Sequence, residues 1–163
     1  MPKPEPTLKG RALRFLARRE HTRQELARKL AEFEADEDTI ERLLDELTGK
    51  GWLNEARAVE SHVHRRAARW GASRVLQELR AKGVSSEALH ATTTRLRESE
   101  FARAREVWAR KFAQPPGDPQ AHARQARFLM ARGFASDVVC AVLKEVIQKP
   151  DPGLDDECDN FSD

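Results

Sequence analysis

Leu76-Gln77-Glu78-Leu79-Arg80-Ala81-Lys82-Gly83-Val84-Ser85-Ser86-Glu87-Ala88-Leu89 reads as the end of one helix, a glycine stop and the capped start of another. Fifty residues later the pattern returns as Phe128-Leu129-Met130-Ala131-Arg132-Gly133-Phe134-Ala135-Ser136-Asp137-Val138-Val139. Lys82-Gly83-Val84 lies over Arg132-Gly133-Phe134, and Ser86-Glu87 over Ser136-Asp137. An earlier, more diverged copy begins at Thr22-Arg23-Gln24-Glu25-Leu26, with Leu26 fifty residues before Leu76. Self-similarity at such a period is the signature of a repeat protein, in which each unit leans on its neighbours to bury a core.

Each part of the stretch has a physical task. A basic residue in the last turn complements the negative end of the helix macrodipole. Gly83 and Gly133 can adopt the left-handed conformation that closes a helix, and the apolar Val84 or Phe134 then folds back onto it. Ser85 or Ser86 can cap the next helix, whose positive first turn suits Glu87 or Asp137. One copy alone would be an ordinary helix–turn–helix corner. Two copies in register favour a tandem array.

Outward from these corners the chain divides into helices. Three prolines in Met1 to Thr7 predict an unstructured start. A first helix is expected over Leu8 to Arg19, with Leu13, Leu16 and Ala17 as its apolar stripe. Thr22 with Glu25 forms a capping box for a second helix that buries Leu26, Leu30 and Phe33. Asp38 with Glu41 is read as the cap of a third, carrying Ile40, Leu43, Leu44 and Leu47 and ended by Gly49-Lys50-Gly51. Val59, Val63, Ala67 and Trp70 mark a long helix that Gly71 terminates. Val75, Leu76 and Leu79 mark a shorter one ending at Gly83, and a third runs from Ser86 to Leu96, with Thr92-Thr93-Thr94 weakening its middle. Phe101, Ala104, Val107, Trp108 and Phe112 define a further helix, stopped at Gln114-Pro115-Pro116-Gly117-Asp118-Pro119. Helices over about Gln120 to Arg132 and Ser136 to Gln148 complete the set. No segment alternates apolar and polar residues between hairpin turns. The expected fold is therefore all-α: repeats over 8–53, 54–99 and 100–149, preceded by a disordered 1–7 and followed by a disordered acidic tail, 150–163.

Net charge is only +2, yet it is strongly segregated. Residues 1–30 carry +6, 31–60 carry −7, 61–150 carry +9 and 151–163 carry −6. Blocks of this kind suit a polyanion or an acidic protein surface as partner. Cys140 and Cys158 are too few for a disulfide framework, and no run reaches the length of a membrane span. A cytoplasmic protein that does not enter a membrane is expected.

Enzymatic chemistry finds no footing in the sequence. A phosphate-cradling loop needs glycine five residues before Gly49-Lys50, where Leu44 stands. His62 and His64, two apart on a helix, point in different directions and have no cysteine near them, so no zinc site is indicated. The tail acids Asp155, Asp156, Glu157 and Asp159 lack the alternation and central glycine of a calcium loop. Glu34, Asp36 and Glu37 lie in a polar connection where nothing would raise a pKa for acid–base work. No catalytic residue, cofactor or metal is assigned.

The basic residues are the candidate site. Arg23, Arg28 and Lys29 belong to the first repeat, Arg65, Arg66, Arg69, Arg74, Arg80 and Lys82 to the second, and Arg124, Arg127 and Arg132 to the third. On equivalent helices of stacked repeats they would form a stripe able to follow a phosphate backbone or an acidic groove. The plainer reading makes them solvated surface, ion-paired to Glu78 and the acidic connection. Trp52, Trp70 and Trp108 could stack on bases, but each fits an apolar stripe or a repeat boundary better, so core packing is expected.

The sequence resembles the RecX family, regulatory proteins of the RecA recombinase, over about Leu8 to Gln148. The resemblance rests on Leu76 to Val84, on Phe128 to Phe134 and on the junction Gly51-Trp52-Leu53-Asn54-Glu55-Ala56-Arg57. It departs where the family usually has two aspartates (here Asn54-Glu55) and an aromatic residue (here Ala58), and the acidic tail is no part of the family pattern. The resemblance implies three three-helix repeats in an elongated, curved array. It further implies binding in the groove of the RecA–DNA filament, restraining strand exchange, ATPase and coprotease activity. A monomer that also binds single- and double-stranded DNA, more weakly, is expected beside this. The alternative is a helical DNA-binding regulator with no RecA role.

Overall fold

The computed structural model describes residues 6–33 and 35–149. Among them lie nine helices and no strand: α1 (Leu8–Arg18), α2 (Arg23–Ala31), α3 (Glu37–Gly49), α4 (Glu55–Arg66), α5 (Ala72–Ala81), α6 (Ser86–Glu98), α7 (Glu100–Phe112), α8 (Pro119–Ala131) and α9 (Ser136–Gln148). The segments 1–5 and 150–163, including the acidic tail and Cys158, fall outside the described residues, as does Glu34.

Caps fix the helix starts. Thr22 accepts from the N–H of Glu25 while the Glu25 carboxylate accepts from the N–H of Thr22, the reciprocal box anticipated from the spacing. Thr7 caps α1, accepting from Gly10 N–H. The cap of α3 is Asp36, not Asp38: its carboxylate accepts from both the N–H and the hydroxyl of Thr39, leaving Asp38 inside the first turn. The three threonines of α6 do not interrupt it, because Thr92 and Thr93 return their hydroxyls to the carbonyls of Ala88 and Leu89.

The repeated corners are superposable in their bonding. Gly83 has φ +72° and Gly133 φ +82°. Val84 N–H reaches Leu79 O at 3.3 Å, and Phe134 N–H reaches Leu129 O at the same distance, the six-to-one bond of a Schellman turn. Val84 and Phe134 are both buried. Gly51, φ +69°, closes α3 in the same way.

The described residues form two compact units, one drawn from 1–67 with 75–95 and the other from 68–74 with 96–163. In the first, Ala12, Leu26, Leu30, Ile40, Leu43, Leu44, Leu47 and Leu53 form one core cluster, and Val75, Leu76 and Leu79 are also buried. At roughly 2 kcal/mol for each fully buried leucine, such clusters supply most of the favourable folding free energy. Phe33 departs from its expected burial: it is exposed, with the Arg11 guanidinium 4.2 Å from its ring centre. Trp52 is likewise 45% exposed rather than in a core, because the Gly51 turn throws it outward beneath Lys50.

In the second unit Ala104, Val107, Trp108, Leu129, Phe134, Val139, Val142, Leu143 and Val146 close the core. Trp108 is buried as expected, and its indole N–H donates to Gln125 Oε1 at 2.7 Å. The helix expected to run on to Gly71 stops at Arg66, so Ala67 and Trp70 lie beyond it. Gly71 is no helix stop. It packs against the Gly133–Phe134 peptide so closely that an added Cβ would lie 2.1 Å from the Gly133 carbonyl, and its N–H donates to Arg132 O at 2.8 Å.

A joint therefore recurs within each unit. In the first, the Thr22 hydroxyl donates to Lys82 O, and Gln24 lies against the open side of Gly83. In the second, Gly71 donates to Arg132 O, and Arg74 lies against Gly133. Gln24 and Arg74 are fifty residues apart, as are the two glycines. The N-terminus of the middle helix of one repeat thus seats on the glycine corner of the next.

Candidate nucleic-acid interface

The twelve predicted cations separate by what they touch. In the first unit Arg23 is paired with Glu41 at 2.5 Å and Asp45 at 2.7 Å. Arg66 grips Glu78 through two nitrogens, at 2.8 and 2.5 Å, and the same carboxylate meets His62 Nε2 at 2.9 Å. The Arg66 bond leads in holding the Glu78 pKa below its ordinary value. Burial pulls the His62 pKa down, aided by the Lys82 charge and opposed by the Glu78 hydrogen bond. Lys82 is paired with Glu25. All three cations are neutralised from within the unit: Arg23 and Arg66 tie neighbouring helices of one repeat, and Lys82 alone joins the second repeat to the first. Lys29 sits 4.8 Å from the Phe15 ring centre, and Arg65 donates to Ser61 Oγ at 2.6 Å. Arg28 and Arg80 are exposed and pair with no described carboxylate.

The second unit is the more basic, with twelve Lys/Arg against six Asp/Glu in its described part. Trp70 lies between two guanidinium groups, Arg74 at 4.0 Å and Arg132 at 5.0 Å from its ring centre. Arg132 also covers the Phe128 ring at 4.9 Å and donates to Arg69 O at 3.3 Å. Two aromatic faces and a carbonyl thus hold one planar cation, an arrangement lysine could not reproduce. Arg124 and Arg127 are exposed on α8.

Arg103 gave no signal in the sequence, yet it fixes this region. It donates from Nη1 to Trp70 O and from Nη2 to Leu96 O, each at 2.8 Å, and from Nε to Ser99 Oγ at 3.1 Å. Burial lowers its pKa from the ordinary arginine value, against the pull of Glu100. Glu100 is buried and accepts the N–H of Ala72, tying the start of α5 to α7.

Beside this cluster is a shallow concavity of about 370 Å³, lined by Ala68, Arg69, Val107, Arg110, Lys111, Phe128 and Arg132. Four of its seven lining residues are cations and none is acidic. Among the described residues no group of His, Cys, Asp and Glu could hold a metal ion, and no helix is long and apolar enough to cross a membrane.

Fold and surface together define a tandem array of three-helix units with a cation-lined hollow in the second unit. Family models for the first, second and third three-helix domains of RecX match residues 9–47, 54–91 and 98–143 respectively. The chain belongs to the RecX family. It is 54% identical over 87% of its length to a regulatory protein RecX of Leptothrix cholodnii, covering 90% of that protein. It is 46% identical to one of Ralstonia nicotianae, over 96% of both chains. The crystal structure of RecX from Lactobacillus salivarius shares the fold with a TM-score of 0.75 at 18% identity, over 87% of this chain and 96% of that one. The Leptothrix and Ralstonia relatives carry the name of regulatory proteins, and a regulatory role is what membership supports.

Proposed function

We propose that this protein regulates the RecA recombinase by binding the RecA–DNA filament and restraining its recombinase, ATPase and coprotease activities in DNA repair, recombination and the SOS response. It acts in the cytoplasm as a monomer without a cofactor, through repeats spanning 8–53, 54–99 and 100–149. The observation that supports this reading is the match of all three RecX domains, in order, to a helical array whose third repeat carries cations not neutralised from within. Filament binding requires no catalytic group, only a surface complementary to protein and phosphate. The test is co-sedimentation with RecA assembled on single-stranded DNA, with naked DNA as control, alongside RecA-dependent ATP hydrolysis. Slowed hydrolysis that recovers as salt rises is expected. Undiminished RecA activity at stoichiometric amounts refutes the reading.

A DNA-binding regulator with no RecA role is favoured by one observation: α5 exposes Gln77 and Arg80, residue types that read base edges. Mobility shifts on a specific and a random duplex separate the two, since this reading requires discrimination between them.

A further inference from the structure

We propose that the concavity of the second unit is a phosphate-binding site, in which Arg69, Arg110, Lys111 and Arg132 straddle successive phosphodiesters of a nucleic-acid backbone without reading its bases. It deepens the DNA-contact part of the function proposed above, and assigns two residues, Arg110 and Lys111, that the sequence did not single out.

Four like charges gathered around one hollow repel one another, and the fold does little to relieve them. Arg69 and Lys111 pair with no described carboxylate. Arg110 meets only Glu106, at 3.2 Å, across a pair in which both side chains are 64% exposed and which salt and water largely screen. In the first unit Arg23, Arg66 and Lys82 each have a carboxylate, while the exposed Arg28 and Arg80, which have none among the described residues, do not line this hollow. Unrelieved positive charge concentrated over a hollow is what an anion would neutralise.

Arg132 supplies the fixed point. Held between Trp70 and Phe128 and bonded to Arg69 O, its guanidinium is ordered before any ligand arrives, so less entropy is lost on contact. Arg69, Arg110 and Lys111 are exposed and can adjust around it. The remaining lining is Ala68, Val107 and Phe128, with no Asn, Gln, Ser or Thr to read a base edge. The Phe128 ring is covered by Arg132 and packed at right angles against Phe112, so it is already engaged within the protein. The site therefore grips backbone and ignores sequence.

The experiment uses the full-length protein without RecA, so its failure leaves the RecA reading standing, and the reverse. Binding to fluorescent oligothymidylate and to a mixed-sequence strand of equal length is titrated across salt. The triple variant Arg69→Gln/Arg110→Gln/Lys111→Gln should bind both strands on the order of 100-fold more weakly at low salt. Its log–log salt slope should fall by about 2, three phosphate contacts at about 0.7 each. Single Arg69→Gln and Lys111→Gln variants should each remove about one third of that, which keeps the test open if the triple variant fails to fold. Arg132→Lys, which keeps the charge but loses the planar seat, should weaken binding while changing the slope little. An unchanged slope in the folded variants overturns the proposal. So does a triple variant that keeps DNA binding but loses binding to a polyglutamate peptide, which would make the hollow an acidic-peptide site.

Discussion

Replacing Gly71 by alanine tests the joint of the second unit directly. The new methyl would stand 2.1 Å from the Gly133 carbonyl carbon and oxygen and 2.2 Å from the Phe134 nitrogen. All three are backbone atoms, so no rotamer change relieves the contact. The segment carrying Trp70 must retreat by more than an ångström, and the 2.8 Å bond from Gly71 N–H to Arg132 O goes with it. Losing that bond costs about 1 kcal/mol and the overpacking about 1–3 kcal/mol, so a loss of about 2–4 kcal/mol is expected. Against a typical total of about 5–15 kcal/mol that is a large fraction. Urea unfolding followed by tryptophan fluorescence is the assay, since Trp70 adjoins the joint and Trp108 lies in the same unit's core. Gly49→Ala is the control: it is helical with nothing within 4 Å of its would-be Cβ, and should stabilise by up to about 1 kcal/mol. A Gly71→Ala midpoint no lower than that of the control would show that the close approach is not what glycine serves there.

Three further outcomes are expected. Gly83→Ala should cost about 1–2 kcal/mol in a denaturant melt, from its positive φ and the pressure of the new Cβ on Gln24, with Gly83→Val worse. Glu25 provides a pH signature. Burial works against its charge, but hydrogen bonds from Lys82, Arg19 and the Thr22 N–H prevail and lower its pKa to about 2 from an ordinary 4.5. A carboxylate lowered on folding stabilises above its unfolded pKa and stops doing so as pH falls through the folded one. About 1–2 kcal/mol, after allowance for screening, should therefore disappear between about pH 5 and pH 2 in wild type and be largely missing from the pH profile of Glu25→Gln. Trp108→Phe leaves Gln125 Oε1 without its donor and opens a small void, for an expected loss of about 2–3 kcal/mol in thermal unfolding.

What the sequence disclosed about the fold follows from local physics. A glycine closing a helix, an apolar residue folding back and a Thr-x-x-Glu box are short-range devices, and Gly83, Gly133, Val84, Phe134, Thr22 and Glu25 behave as their neighbours dictate. The departures have both long-range and local causes. Gly71 read as a stop because its true partner, the Gly133 peptide, is sixty-two residues away. Trp52 read as core because a left-handed turn reverses which side faces in. The candidate site was less legible than the fold. Whether an arginine faces solvent or a carboxylate depends on pairs such as Arg66 with Glu78 and Lys82 with Glu25, and the latter span fifty-seven positions. Arg110 and Lys111 gave no sign of their importance until a hollow gathered them beside Arg69 and Arg132.

The twinned joints carry a consequence for how such a chain can diversify. A duplicated socket needs only its glycine and the carbonyl beside it, leaving the residue laid against that glycine free to change. One copy has kept a neutral side chain, Gln24, and acts as plain carpentry. The other has taken Arg74, which reaches a tryptophan the first copy lacks. Substituting the same residue into both sockets of one molecule would separate what joinery demands from what was recruited later.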